Sequence, residues 1–248
     1  MKEHFLHVVD YLTLTANNGV IQNPTKFVFG RKTLDFVGFT LSPEGVAPCE
    51  DILKSIQQFP KPKNITGMRS LFGLIEQVSW GFSKHTIMAP FRELLSGKND
   101  FLWTEKLNDA FEAAKTEIVS QVKKGVNVNE VGKITALVTD WSKTGLGWAL
   151  LQKHCACSGK IINCCSRGWK LICMGSRFCT RAEAKYAAIE GEFLALTFGL
   201  EKSKFWTLGN PHLVVFVDHK PLLGLLKNKD IDSIENPRLN RLLIKTLI

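Results

Sequence analysis

Two short apolar runs, each closed by an aspartate, constrain this 248-residue chain more than any other feature. Ile134-Thr135-Ala136-Leu137-Val138-Thr139 leads into Asp140, and Leu213-Val214-Val215-Phe216-Val217 leads into Asp218. Both runs read as buried strands. A long helical pattern carrying Glu192 lies between them. The strands are expected as parallel neighbours, with Glu192 facing their carboxyl ends, where open α/β sheets usually bind ligands. Three carboxylates gathered there would suit Mg²⁺, which favours hard oxygen ligands. Either Asp alone could serve as a turn residue or helix N-cap, so the joint arrangement carries the argument.

Periodicity does not decide which helical acid belongs to that cluster. Glu192 shares a face with Ala188, Ile189, Ala195 and Leu196, and Glu190 neighbours Tyr186, Ala187, Phe193 and Leu194. In two-metal phosphodiester hydrolysis the ions sit roughly 3.5–4 Å apart, so carboxylates must bridge or flank them. Asp140 is the candidate bridge, with Asp218 and one of the two helical acids on either side.

The rest of the chain reads as helices and hairpins. Phe5, Leu6, Val9, Leu12 and Leu14 give a helical face ended by Asn17-Asn18-Gly19. Val28 to Phe39 alternates as a hairpin with Gly30-Arg31-Lys32 as its turn. Ile52, Leu53 and Ile56 form a stripe stopped by Pro60-Lys61-Pro62. Thr66 is placed to cap the next helix, which carries Leu71, Phe72, Leu74, Ile75 and Val78. Phe91, Leu94 and Leu95 pack a third, and residues 104–124 a fourth, with Gly125 as its stop. From Ile134 the pattern becomes strand, strand, long loop, helix, strand, helix. Thr180-Arg181-Ala182-Glu183 carries a capping-box signature at the head of the long helix.

A net charge of +9 favours a polyanionic partner, and nucleic acid is the commonest large one. Lys61, Lys63 and Arg69, near helix starts, are candidate phosphate contacts, against the plainer reading of solvated surface. No apolar run of about 18 residues occurs, so no membrane partner or span is expected. The amino-terminal residues lack a signal peptide's apolar core. A cytoplasmic protein is expected rather than a secreted one, with a virus-like particle or the nucleus as alternatives. Seven cysteines then read as reduced thiols. His154, Cys155, Cys157, Cys164 and Cys165 cluster in sequence, but their spacing is unlike paired Cys-x-x-Cys knuckles. The expectation is an elaborated loop with thiols rather than zinc.

Four ordered motifs carry a family resemblance. Thr139-Asp140-Trp141-Ser142 with Gly145-Leu146-Gly147 and Leu150-Leu151-Gln152 resembles the first hairpin of a retroelement RNase H domain. Ser176-Arg177-Phe178 resembles its third strand, Tyr186 to Leu196 its first helix, and Val217-Asp218-His219-Lys220-Pro221-Leu222 its Asp-His-x-Pro-Leu segment. Upstream, Gly19 to Phe27 and Phe36-Val37-Gly38-Phe39 resemble the end of a polymerase palm, Arg69 to Leu74 a thumb, and Phe101-Leu102-Trp103-Thr104 the lead-in to RNase H. The family is the reverse transcriptase/RNase H Pol polyprotein of gypsy-class LTR retrotransposons.

The resemblance implies an α/β fold, α+β overall: an RNase H-like mixed sheet with helices, preceded by a small helical thumb and a palm-end helix-hairpin. The expected parts are 1–45 (palm end), 46–100 (thumb-like) and 101–248 (RNase H-like, with lead-in helix 104–124 and core 133–248). It assigns the catalytic and metal-binding roles to Asp140, Glu192 and Asp218, the second Glu of Glu-x-Glu being the family's acid. Ser142 and His219 join the basic residues as implied nucleic-acid contacts, His219 being equally readable as a helix-start residue. The implied reaction is Mg²⁺-dependent hydrolysis of RNA in an RNA–DNA hybrid, and the implied partners are such hybrids or other nucleic acid and the remainder of a Pol polyprotein. The polymerase's Tyr-x-Asp-Asp element is missing, since the chain contains no Asp-Asp pair. The family's fourth RNase H acid, in an Ala-Asp-x-Leu-Ser segment, is not reached, which implies carboxyl-terminal truncation and an incomplete two-ion site. A catalytically inactive remnant that only binds nucleic acid is therefore the alternative.

Overall fold

The computed structural model describes residues 2–96, 100–157, 165, 168–228 and 234–246. Helix α1 (Lys2–Asn17) buries none of its residues. Its apolar stripe of Phe5, Leu6, Val9 and Leu14 is exposed. Strands β1 (Leu34–Phe36), β2 (Phe39–Ser42) and β3 (Gly45–Pro48) then form an antiparallel meander. Its first turn is Val37-Gly38, set by the Phe36↔Phe39 pair, and not Gly30-Arg31-Lys32. Both turn residues have positive φ, +49° and +84°. That handedness matches the strand twist of a two-residue hairpin. A β-branched residue gives no sequence signal for it, because such residues avoid the left-handed region.

Helices α2 (Glu50–Gln57), α3 (Ile65–Val78), α4 (Lys84–Met88) and α5 (Glu105–Val122) share one core. Leu53 and Ile56, then Met68, Leu71, Ile75 and Val78, then Phe111, Ile118 and Val122 turn one stripe of each helix inward. The cap of α3 is Asn64, whose Oδ1 accepts from the Gly67 N–H at 2.8 Å. Thr66 lies within the first turn instead.

A second core belongs to a four-stranded mixed sheet of order β6-β5-β4-β7. Strands β4 (Thr135–Trp141), β5 (Gly145–Lys153) and β6 (Trp169–Phe178) run antiparallel in sequence. Strand β7 (Leu213–Phe216) pairs parallel with β4, as the two apolar runs predict. The reading of a long loop after β5 misses most of β6. An irregularity opposite Leu150 and Leu151 leaves Ile172 without a partner and breaks the strand's alternation. Helix α6 (Ala188–Thr207) packs Phe193 and Leu196 onto the sheet. Helices α7 (Lys220–Asn228) and α8 (Pro237–Thr246) add Leu222, Leu239 and Leu242 to the same core.

The Thr180–Glu183 capping box forms: the Glu183 N–H donates to Thr180 Oγ1 at 3.2 Å and the Thr180 N–H to Glu183 Oε2 at 2.8 Å. It heads a short 3₁₀ turn, Glu183–Lys185, rather than the long helix. Tyr186 is extended, and α6 begins at Ala188 with the Ala187 N–H donating to Glu190 Oε2 at 3.1 Å.

The helical unit rests against the sheet. The His85 N–H donates to Ser176 Oγ at 3.1 Å. The Arg92 guanidinium donates to the Thr144 and Cys179 carbonyls and stacks 4.7 Å from the Phe178 ring centroid. Among the described residues, no helix is long and apolar enough to cross a membrane.

Candidate metal centre

The parallel register levels the two aspartates. Val138 pairs with Phe216, and two residues further each chain reaches its acid at the same end of the sheet. Helix α6 crosses that sheet closely enough that a Cβ on Gly199 would lie 2.9 Å from Thr139 Cγ2. This approach brings Glu192 to the carboxyl ends of β4 and β7. One carboxylate oxygen from each of Asp140, Glu192 and Asp218 lies within 4.8 Å of the others.

The three acids sit in different surroundings. Both aspartates are exposed, whereas Glu192 is only 7% exposed. Burial, with the negative charges of Asp218 and Asp140, pushes the Glu192 carboxyl up to about 7, and a bond from the Trp141 backbone N–H opposes the rise. Glu192 Oε2 is buried with no hydrogen-bond partner. An oxygen so placed demands a proton or a cation. Three carboxylates, one of them carrying a buried, unsatisfied oxygen, fit a hard divalent cation.

Glu190, which periodicity could not separate from Glu192, points to different company. Its carboxylate accepts from Arg238 Nη1 at 2.7 Å, Asn236 Nδ2 at 3.0 Å and the Ala187 N–H at 3.1 Å. Net hydrogen bonding, with the Arg238 charge, holds its carboxyl below the usual range despite burial. Two supporting residues escaped the sequence reading. Trp141 supplies the N–H for Glu192, and Gly191 leaves room for the Trp141 ring, from which a Cβ would stand 2.2 Å. The available signal was a glycine inside a helical pattern, which usually has a packing reason.

The residues expected to contact nucleic acid are spread out. Ser142 is engaged in the β4–β5 turn, accepting from the Gly145 N–H at 3.1 Å and lying 3.0 Å from Thr144 Oγ1. His219 follows Asp218, is half-buried, and its carbonyl accepts from the Leu222 N–H at the start of α7. Lys61 lies 5.4 Å from the Trp103 ring centroid, and Lys63 and Arg69 are exposed. No described contact links these three cations to the acids.

The cysteines converge more than their spacing suggests. Thiols of Cys155, Cys157 and Cys165 lie within 4.8 Å of one another. His154 Nδ1 instead faces Lys133 Nζ at 2.9 Å and Glu130 at 3.5 Å. Cys164 lies outside the described residues.

A mixed sheet with one parallel edge pair, a helix crossing it, and acids at the shared carboxyl end is an RNase H-like arrangement. Residues 130–246 match the RNase H-like domain found in reverse transcriptase. Over 243 residues it is 26% identical to the Transposon Tf2-3 and Tf2-4 polyproteins of Schizosaccharomyces pombe, covering 96% of this chain and 17% of each relative. The chain thus spans about a sixth of the length of these relatives. The fold resembles a foamy viral protease-reverse transcriptase in complex with an RNA/DNA hybrid, with a TM-score of 0.75 at 19% identity over 98% of this chain and 32% of that one. A foamy viral protease-reverse transcriptase in complex with double-stranded DNA gives 0.73 at 19% identity, over 99% of this chain and 41% of that one.

Proposed function

We propose that this chain carries out Mg²⁺-dependent endonucleolytic hydrolysis of the RNA strand of RNA–DNA hybrids. The observation that carries the reading is the unsatisfied Glu192 Oε2, buried inside a cluster whose other members are Asp140 and Asp218. Asp140 would hold both ions, with Glu192 and Asp218 each holding one. Bound there, the ions would polarise the scissile phosphate and lower the pKa of water. The chain's own contribution is positioning. The Trp141 N–H fixes one Glu192 oxygen, and the parallel register holds the two aspartates level. The foamy viral relative was captured with an RNA/DNA hybrid, which supports that substrate class. Recognition would use backbone, shape and the 2′-hydroxyl rather than base sequence.

The division into a palm end (1–45), a thumb-like unit (46–100) and an RNase H-like part (101–248) belongs to the same reading. Separate cores in the helical unit and the mixed sheet support two units, although α5 packs in the helical core rather than with the sheet. DNA polymerisation is not part of the proposal, since the chain has no Asp-Asp pair. The test is cleavage of a labelled RNA–DNA hybrid with Mg²⁺ or with chelator. Metal-dependent cutting lost in Asp140→Asn supports the reading. No cutting by a folded sample, or cutting that survives Asp140→Asn, overturns it.

A further inference from the structure

The connection between β5 and β6 gathers thiols at the far end of the sheet from the acids. Asp140 pairs with Gly147, and β5 runs six residues on to Lys153. At about 3.3 Å per residue this places the connection ~20 Å from the carboxylates. The two limbs are tied by the His154 N–H, which donates to the Gly168 carbonyl at 2.7 Å. Cys155 and Cys157 come from the outgoing limb and Cys165 from the returning one. All three sulfurs lie within 4.8 Å of one another, with Cys157 and Cys165 at 3.5 Å.

That spacing matches a metal's needs. A tetrahedral zinc with Zn–S bonds of about 2.3 Å sets its sulfurs about 3.8 Å apart. Gly168 makes the convergence possible. A Cβ there would stand 2.5 Å from Cys155 Sγ and 2.9 Å from Cys165 Sγ. Beside the thiols, Lys153 Nζ donates to the Cys157 carbonyl at 2.9 Å, and Lys133, next to His154, is paired with Glu130.

We infer that Cys155, Cys157 and Cys165 form a site for a thiophilic divalent cation, Zn²⁺ by ligand chemistry. The site joins the two limbs of the β5–β6 connection and is independent of the carboxylate cluster. Two adjacent thiols could instead oxidise to a disulfide, and that outcome is part of the test.

The experiment titrates Co²⁺ into the reduced full chain and follows the thiolate-to-cobalt charge-transfer band and the strong visible bands of tetrahedral Co²⁺. One thiolate-bound ion per chain, counted from the charge-transfer band and displaced by Zn²⁺, is expected. Cys155→Ser, Cys157→Ser and Cys165→Ser should each lose the charge-transfer band, while Cys173→Ser and Asp140→Asn keep it. Gly168→Ala retains every thiol and should still weaken binding by displacing two of them. With Asp140→Asn in both backgrounds, Zn²⁺ should also raise the Tm of the chain with its thiols more than that of the triple Ser variant, through preferential binding to the folded state. The inference is overturned by no band in a folded, reduced sample, by a band that survives Cys157→Ser, or by a Cys157–Cys165 disulfide forming in the presence of saturating Zn²⁺.

Discussion

Gly191 lies directly against the indole of Trp141, so close that a Cβ would stand 2.2 Å from the ring. The same tryptophan's backbone N–H supports Glu192, one residue along the helix. The absence of a side chain at one position thus sets where the neighbouring acid is held.

Gly191→Ala tests this coupling. In an open helix interior, Ala would be favoured over Gly by about 1 kcal/mol. Here the clash reverses the sign, and a net loss of about 1–3 kcal/mol is expected in urea denaturation. Hybrid cleavage should fall as well, because moving Trp141 moves the donor to Glu192. Trp141→Ala in the same chain should recover part of the stability without restoring cleavage. Stabilisation by Gly191→Ala alone would show that the ring yields freely.

Glu192 and Glu190 should respond oppositely to substitution. The Glu192 carboxyl is raised from 4.5 to about 7, chiefly by burial. A raised carboxyl contributes stability that is full below 4.5 and lost as pH rises through about 7. With divalent ions chelated, the Tm should therefore fall between pH 5 and pH 8. Glu192→Gln should flatten that fall and stabilise the protein above pH 7 by on the order of 1–3 kcal/mol. Mg²⁺ should restore the wild type at pH 8 and leave Glu192→Gln unmoved. Glu190→Gln should instead cost about 1 kcal/mol or more by weakening the bonds from Arg238, Asn236 and Ala187, and should keep the Mg²⁺ response. Equal responses from the two variants would refute the division of roles.

This pair also marks where the sequence stops being legible. Both aspartates could be read because each ends a continuous apolar run, and the strand pairing follows from local pattern. Glu190 and Glu192 lie on equally apolar faces, and their difference is made by Arg238 and Asn236, 48 and 46 residues away. The Val37-Gly38 turn and the Asn64 cap were missed for a similar reason. Gly30 and Thr66 carry equally good local chemistry, and tertiary packing selects between candidates. Most of strand β6 escaped because its bulge interrupts the period-two signal. The thiol convergence depends on the register of two limbs, which cysteine spacing does not encode.

Arg177 and Glu183 should make the protein sensitive to acid. The Arg177 guanidinium donates to Glu183 at 2.7 and 2.8 Å, and with the Thr180 N–H it holds the Glu183 carboxyl down at about 2. A depressed carboxyl contributes stability present above its unfolded value of 4.5 and lost as pH falls through about 2. The Arg177 side chain is 33% exposed, so solvent screening reduces the gain to about 1–2 kcal/mol. Glu183→Gln should lower stability at pH 7 by that amount and merge with the wild type below about pH 2. A constant difference across that range, followed by chemical denaturation, would count against the ion pair.

Binding to an RNA–DNA hybrid should outlast the loss of any carboxylate. Hydrolysis needs the acids arranged around metal, whereas attraction to phosphate needs distributed positive charge, and the chain carries a net +9. Asp140→Asn removes a negative charge near the proposed substrate path, so affinity should hold or rise while cleavage disappears. Affinity should fall steeply with salt, because each neutralised phosphate releases counterions. If Lys61, Lys63 and Arg69 face the backbone, replacing all three with Ala should weaken binding equally for unrelated hybrid sequences. It should also reduce the log–log salt slope by up to about 3, near one per contact. The cation–π position of Lys61 over Trp103 makes it the weakest contributor of the three. Fluorescence anisotropy at several salt concentrations measures both quantities. An unchanged slope in the triple variant would move the binding surface away from the start of α3.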